Sequence, residues 1–158
     1  MGAVDHFNDP DAPRANSLRP AVNTFVQDGA GRVLLVHRAE QDLHTLPGGE
    51  QRPGETPLDA VLRTTYAETG VRVAVTGLVG VYSDPAHVVA HDDGEVRQEF
   101  VLCFRATPSD GELDTRDQTM KADWVNPARM YELAIHPAVR LRIQHGFDDR
   151  REPYWGQD

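Results

Sequence analysis

The chain has 158 residues, 39% of them hydrophobic, and a formal net charge of −9. This length and apolar fraction suit one globular domain with its own core. The acidic balance excludes an extended nucleic-acid partner, because nothing offsets repulsion from the phosphates. A single cysteine, Cys103, excludes an internal disulfide, and its apolar neighbours predict a buried thiol. There is no apolar run of membrane-spanning length and no signal-peptide pattern, so we expect a cytoplasmic protein with no membrane partner.

The two ends of the chain differ in composition from its middle. Residues 1–17 are polar and contain two prolines, which predicts a flexible arm. Residues 18–146 carry the strand and helix patterns of the domain. Residues 147–158 form a tail in which Tyr154 and Trp155 could dock either on the domain or on a partner subunit.

Two strand patterns open the domain. Residues 23–27 alternate between polar and apolar, residues 32–37 are rich in valine and leucine, and the Asp-Gly-Ala-Gly segment between them predicts a hairpin. A loop over residues 39–45 leads to a Leu-Pro-Gly-Gly turn that ends at Gly48 and Gly49. These glycines allow a close approach of the backbone that side chains would block.

A short helix follows over residues 58–69. Thr56 is a good N-cap, Pro57 suits the first helical position, and Asp59 completes a capping box. Gly70 fits the left-handed position that ends a helix. Spacings of three and four predict a buried stripe formed by Leu58, Val61, Leu62 and Thr65. A neighbouring stripe carries Ala60, Thr64, Ala67 and Glu68.

The second half of the chain is predicted to contain three strands, two loops and a helix. The strands are residues 71–82, 95–107 and 120–125, the loops are residues 83–94 and 108–117, and the helix is residues 137–145. We interpret His87 and His91 as solvated loop histidines rather than zinc ligands. Arg140 and Arg142 could face an anionic ligand, but we expect them at the surface, where arginines are commoner.

The stretch from Gly49 to Val71 contains a recognisable spacing. Its matching residues are Gly49, Glu55, Arg63, Glu68, Gly70 and Val71. The spacing resembles the Nudix box of hydrolases that cut a nucleoside diphosphate linked to another moiety. The resemblance implies an α/β fold, a Nudix α/β/α sandwich with a mixed β-sheet and a loop-helix-loop box. The match is incomplete, because Thr64 and Ala67 stand where the family has glutamates and Thr65 where it has an apolar residue.

The resemblance also implies roles for individual residues. Glu68, Arg63 and Glu55 are the catalytic candidates, with Gly48, Gly49 and Arg63 as substrate-binding residues. Mg²⁺ or Mn²⁺ is the implied cofactor. It would be weakly held, because only Glu68 remains of the three carboxylates that a complete box presents. Glu55, Glu50 and Glu99 are the further candidate ligands for the metal.

Three hypotheses for the function therefore remain open. The first is a hydrolase of weak activity acting on a nucleoside diphosphate derivative, with an ADP-ribose-like compound as an expectation by analogy. The second is a catalytically silent protein that binds a nucleotide or metabolite, and the third is a protein-interaction module. A homodimer is also compatible with the resemblance, since members of this family often dimerise.

Overall fold

The structure is a computed structural model that describes residues 2–114 and 119–156. Within these residues, nine strands, a 3₁₀ helix and two α-helices follow in chain order. The strands are β1 (Val4–Phe7), β2 (Ser17–Val26), β3 (Val33–Arg38), β4 (Leu43–Thr45), β5 (Gly48–Glu50), β6 (Val71–Tyr82), β7 (His87–Ala90), β8 (Val96–Gly111) and β9 (Met120–Val125). The helices are α1 (Pro57–Thr69), the 3₁₀ helix (Pro127–Glu132) and α2 (Pro137–Asp148).

The strands form two sheets. In the larger sheet the order is β1-β7-β8-β2-β5, and β6 also pairs with β8. This sheet is mixed, because β2 and β8 run parallel while its other pairs are antiparallel. The smaller sheet has the order β4-β3-β9. The β6 ladder is irregular beside Gly77 and Gly80, where the register with β8 shifts.

The predicted hairpin at residues 28–31 is wrong. β2 and β3 belong to different sheets, and in the described residues the strand pairing between these two segments is limited to one isolated bridge, between Gln27 and Val33. The turn itself is well formed, since the Asp28 carboxylate accepts hydrogen bonds from the backbone of Ala30 and Arg32. The local turn signal was therefore correct, but pairing with β8 and β9 directs the two strands apart.

The two α-helices lie on opposite faces of the larger sheet. Along β8, Val101 and Cys103 point into the cluster that contains α2, whereas Leu102 and Phe104 pack against the cluster that contains α1. Successive side chains of a strand point to opposite faces, so this alternation places one helix on each side. The predicted α/β/α arrangement is confirmed. Cys103 is fully buried, as predicted, and burial raises the pKa of its thiol to about 12.

Besides the loop predicted over residues 39–45, in which β4 pairs with the neighbouring β3, three segments predicted as arm or loop contain strands. In the N-terminal arm, Val4–Phe7 pairs with β7, and β7 itself lies inside the loop predicted over residues 83–94. β8 continues to Gly111, beyond the predicted strand end. Residues 115–117 of the predicted acidic loop lie outside the described residues. In each case pairing with a distant strand supplies the hydrogen bonds that the local sequence does not indicate.

The C-terminal tail docks on the domain. Tyr154 accepts a hydrogen bond from Val81 N–H and donates its own N–H to Val79. Its ring stacks on Tyr82 with centroids 5.0 Å apart, and Trp155 beside it is 72% exposed. No helix in the described part of the chain is long and apolar enough to cross a membrane.

Candidate active site

Helix α1 begins and ends where the sequence predicts. Thr56 Oγ1 accepts from Asp59 N–H, and the Asp59 carboxylate accepts from Thr56 N–H, each at 3.0 Å. Pro57 occupies the first turn, and Gly70 ends the helix at φ 79°. Capping of this kind fixes the position at which the loop enters the helix. It therefore fixes the direction of the box side chains.

The buried face of α1 differs from the predicted stripe. Leu58 and Leu62 are 46% and 40% exposed, which corrects that part of the prediction. The helix is rotated so that Thr64 packs against the backbone of Gly49, and Thr64 Oγ1 donates back to Ala60 carbonyl oxygen at 2.8 Å. The residues of α1 that are buried are Ala60, Val61, Thr64, Thr65 and Thr69. One position that carries a glutamate in a complete box is thus part of the helix–sheet contact, whereas Ala67 is exposed.

Glu55 and Arg63 form an ion pair that ties the loop to the helix. Arg63 Nε and Nη2 both donate to the Glu55 carboxylate, the latter at 2.9 Å, and Arg52 N–H donates to it at 2.8 Å. These hydrogen bonds, that from Arg63 first, lower the pKa of Glu55 to about 2. Arg63 Nη2 also reaches Glu50 carbonyl oxygen at 3.0 Å. Both Glu55 oxygens are therefore engaged in holding the loop. Asp59 is used in the helix cap and not in a contact with Arg63.

Glu68 lies beside the glycine turn. Gly48 N–H donates to Glu68 Oε1, and Arg38 Nη2 donates to Oε2, both at 3.0 Å. A Cβ atom on Gly48 would lie 2.0 Å from Val22 carbonyl oxygen, so only glycine fits this approach. The sequence predicted Glu68 and the turn together, but it gave no indication that Arg38 would pair with the surviving box carboxylate.

The two remaining candidate carboxylates differ in their surroundings. Glu50 is bound to Arg97 Nη1 at 2.7 Å and has Arg19 at 3.7 Å, so its charge is already compensated. Glu99 lines a cavity of about 340 Å³ together with Gly48 and Gly49. The Glu99 carboxylate has no hydrogen bond or ion pair with another described residue. Among the four candidates it is therefore the one whose charge is unpaired within the described residues.

The candidate carboxylates can be compared with the ligands that a divalent ion requires. Within the described residues, no three carboxylate, imidazole or thiol groups converge beside α1. Mg²⁺ keeps several waters and is commonly held by one or two carboxylates plus substrate phosphates. Glu68 therefore fits an ion that arrives with phosphate ligands of its own, and the described residues do not form a closed protein cage around it.

One cluster of potential metal ligands lies elsewhere, on the rim of the same cavity. Asp5 accepts from His87 Nε2 at 3.0 Å and from His136 Nε2 at 3.1 Å. Ala138 N–H donates to His136 Nδ1 at 3.0 Å, so the proton of the neutral ring is on Nε2. A metal would need the Nε2 lone pair, so the cluster is a hydrogen-bonded tie between β1, β7 and α2. The solvated histidine predicted at position 87 is wrong, because His87 is buried.

A second cavity of about 300 Å³ adjoins the first. Its wall contains Phe7, Tyr82, Tyr154 and Trp155. Four residues line both cavities, namely His87, Glu99, Ala138 and Arg142. The two spaces therefore meet at a throat, defined here by these four residues, with the glycine turn on one side and aromatic rings on the other.

The family of the chain follows from comparison with known proteins. Residues 17–144 match the NUDIX domain, and the chain belongs to that family. A MutT-like protein from Streptomyces ambofaciens is 34% identical over 112 residues, which are 70% of this chain and 66% of that relative. ADP-ribose pyrophosphatase from Methanocaldococcus jannaschii is 30% identical over 123 residues, or 75% of this chain and 69% of that relative. The MutT protein from Bacillus halodurans has a similar structure, with a TM-score of 0.68, 26% identity and 80% of each chain covered.

Proposed function

We propose that this protein hydrolyses a nucleoside diphosphate linked to another moiety, in the cavity beside Gly48 and Gly49. The observation that carries the proposal is the preserved loop-helix geometry. Glu68 accepts the Gly48 amide, and Glu55 holds Arg63, within a chain of the NUDIX family. The name of the pyrophosphatase relative makes ADP-ribose the first substrate to test.

The reaction is the addition of water to one phosphorus and cleavage of its bond to the bridging oxygen. A Mg²⁺ or Mn²⁺ ion held by Glu68 and the substrate's phosphate oxygens, with Glu99 as a further candidate ligand, would neutralise phosphate charge and activate the water. The Glu55–Arg63 pair keeps the loop in register with α1. Arg38 contributes a second positive charge at the glycine turn, where it pairs with Glu68. Because the protein offers few carboxylates, we expect the metal to bind weakly in the absence of substrate.

The Glu68→Gln variant tests this proposal. Loss of the carboxylate charge should lower kcat/KM for Mg²⁺-dependent release of a nucleoside monophosphate roughly a hundredfold or more. Product formation from ADP-ribose, a nucleotide sugar and a dinucleotide is followed by chromatography. Glu132→Gln is the matched control, because Glu132 is exposed on the 3₁₀ helix. Equal turnover by Glu68→Gln and the wild type would refute a catalytic role for this residue.

A silent binding protein is the second candidate. The pairing of Glu68 with Arg38 favours it, because the arginine occupies the one box carboxylate that a metal would use. This candidate predicts that ADP-ribose raises the Tm of the wild type while remaining intact over hours. If ADP-ribose is consumed in that experiment, the protein is a hydrolase and the silent binding protein is rejected.

A further inference from the structure

Arg142 is a buried cation in the throat. Its side chain is 5% exposed, and Nη1 donates to Asn23 Oδ1 at 2.6 Å. The Nε atom is buried without a hydrogen-bond partner. The guanidinium carbon lies 5.4 Å from the centre of the Tyr82 ring. The sequence-based expectation of a surface arginine is therefore wrong.

Arg142 makes no ion pair with a described residue, although the charge of Glu99 in the same throat favours the ionised guanidinium. No described carboxylate comes within 4.0 Å of it, and burial lowers the pKa of its guanidinium. Glu99 shares the throat but makes no ion pair with it. A buried charge that lacks a partner is unfavourable, and an isolated structural role would be served better by an apolar side chain. The arrangement indicates that Arg142 is kept for a ligand.

The position of Arg142 specifies what that ligand is. Asn23, its hydrogen-bond partner, lies directly opposite Gly48 in the β2–β5 pair. The first cavity therefore extends from the glycine turn to the guanidinium. On the other side, the second cavity is lined by Tyr82, Tyr154 and Trp155, of which Trp155 is 72% exposed and offers an aromatic surface. Aromatic surfaces of this kind stack well on planar bases.

We propose that Arg142 is an anion-binding residue that contacts a phosphate group of the substrate in the throat, while the aromatic cavity holds the nucleobase. The assignment rests on the proposed function for the identity of the ligand as a nucleoside diphosphate derivative. Guanidinium groups bind phosphate oxygens through paired N–H donors, and Arg142 has donors available. Glu99 opposes the anion from across the throat, and a divalent ion between them would relieve that repulsion.

The experiment measures binding of inorganic pyrophosphate and ADP-ribose by calorimetry in EDTA, so that no metal contributes. Arg142→Met, which keeps volume and removes charge, should weaken both ligands about tenfold or more. Its Tm without ligand should stay at or above that of the wild type, because an unpaired buried charge is removed. Glu99→Gln should tighten pyrophosphate binding, because it removes the opposing charge. Arg140→Met is the control, since Arg140 lies on the same helix and its donors bind the carbonyl oxygens of Met130 and Leu133.

The outcomes separate this assignment from the proposed function. If Arg142→Met binds both ligands as the wild type does, or if the wild type binds neither, the anion site is refuted. A lower Tm combined with unchanged affinity would show a structural role. If Arg142→Met loses binding but the wild type turns over no nucleotide with Mg²⁺, the anion site stands and the hydrolase does not. If the wild type hydrolyses the nucleotide and Arg142→Met has an unchanged KM, the hydrolase stands and the anion site does not.

Discussion

At the scale of single residues, the two substituted box positions are not equivalent. Thr64 is 5% exposed and packs against Gly49, whereas Ala67 is on the surface of α1. A carboxylate at position 64 would have to enter the helix–sheet contact without a charged partner. A carboxylate at position 67 would face solvent, next to Glu68.

These surroundings predict opposite results for the two single restorations. Ala67→Glu should leave the Tm almost unchanged and strengthen Mn²⁺ binding, because it adds a second carboxylate beside Glu68. Thr64→Glu should lower the free energy of unfolding by about 2 kcal/mol, because burial of a charge without a partner is unfavourable. Thermal unfolding and Mn²⁺ titration by electron paramagnetic resonance provide the measurements. Stable folding of Thr64→Glu with tighter Mn²⁺ binding would contradict the packing described for Thr64.

At the scale of elements, one ion pair joins the box loop to α1. Glu55 precedes the helix cap and Arg63 lies two turns into the helix, so their contact closes the loop over the first turn. The cap formed by Thr56 and Asp59 sets the start of α1 independently of this pair. The loop therefore has two anchors, one of which depends on the charge of Glu55.

The charge of Glu55 predicts a dependence of stability on pH. Its pKa in the folded protein is lowered from 4.5 to about 2, so the folded state binds the proton less readily than the unfolded state does. The contribution of the pair is present above about pH 4.5 and is lost as the pH falls towards 2. When Tm is measured across this range, the Tm of Glu55→Gln should fall less than that of the wild type as the pH is lowered. Parallel curves for the two proteins would mean that the pair contributes nothing to stability.

The signals that located α1 are local, and this is why its prediction succeeded. Thr56, Pro57, Asp59 and Gly70 act on their own backbone within four residues, and the structure uses each of them as expected. The rotation of the helix was predicted less well. Leu58 and Leu62 are the most apolar side chains of α1, but contact with β5 and β6 buries smaller residues, because the backbone of Gly49 comes close to the helix.

At the scale of the whole molecule, the N-terminal strand is held across the cavity rim by Asp5. This carboxylate accepts from His87 on β7 and from His136 at the start of α2. Partial burial opposes its ionisation, but the hydrogen bonds from His136 and His87 prevail and lower the pKa of Asp5. Three segments that are far apart in the chain thus share one ionised group.

Loss of that group should release β1. In Asp5→Ala, the backbone amides of Val4–Phe7 should exchange with deuterium about tenfold faster, since two hydrogen bonds to a charged acceptor are lost. Asp11→Ala is the control, because Asp11 is exposed and belongs to the same N-terminal segment. Exchange is measured by mass spectrometry. If the amides of Val4–Phe7 exchange at the wild-type rate in both variants, Asp5 does not hold β1 in place.

The sequence by itself determined the family, the limits of α1, the glycine turn and the buried cysteine, because each depends on residues that act on their near neighbours. Only the tertiary structure decided the pairing of β1 with β7, the burial of Thr64, the contact between Arg38 and Glu68, and the placement of Arg142 behind the glycine turn. Arg142 and its partner Asn23 are 119 positions apart. No local pattern predicts such a contact, because the two side chains meet only after α2 has packed on the sheet that contains β2.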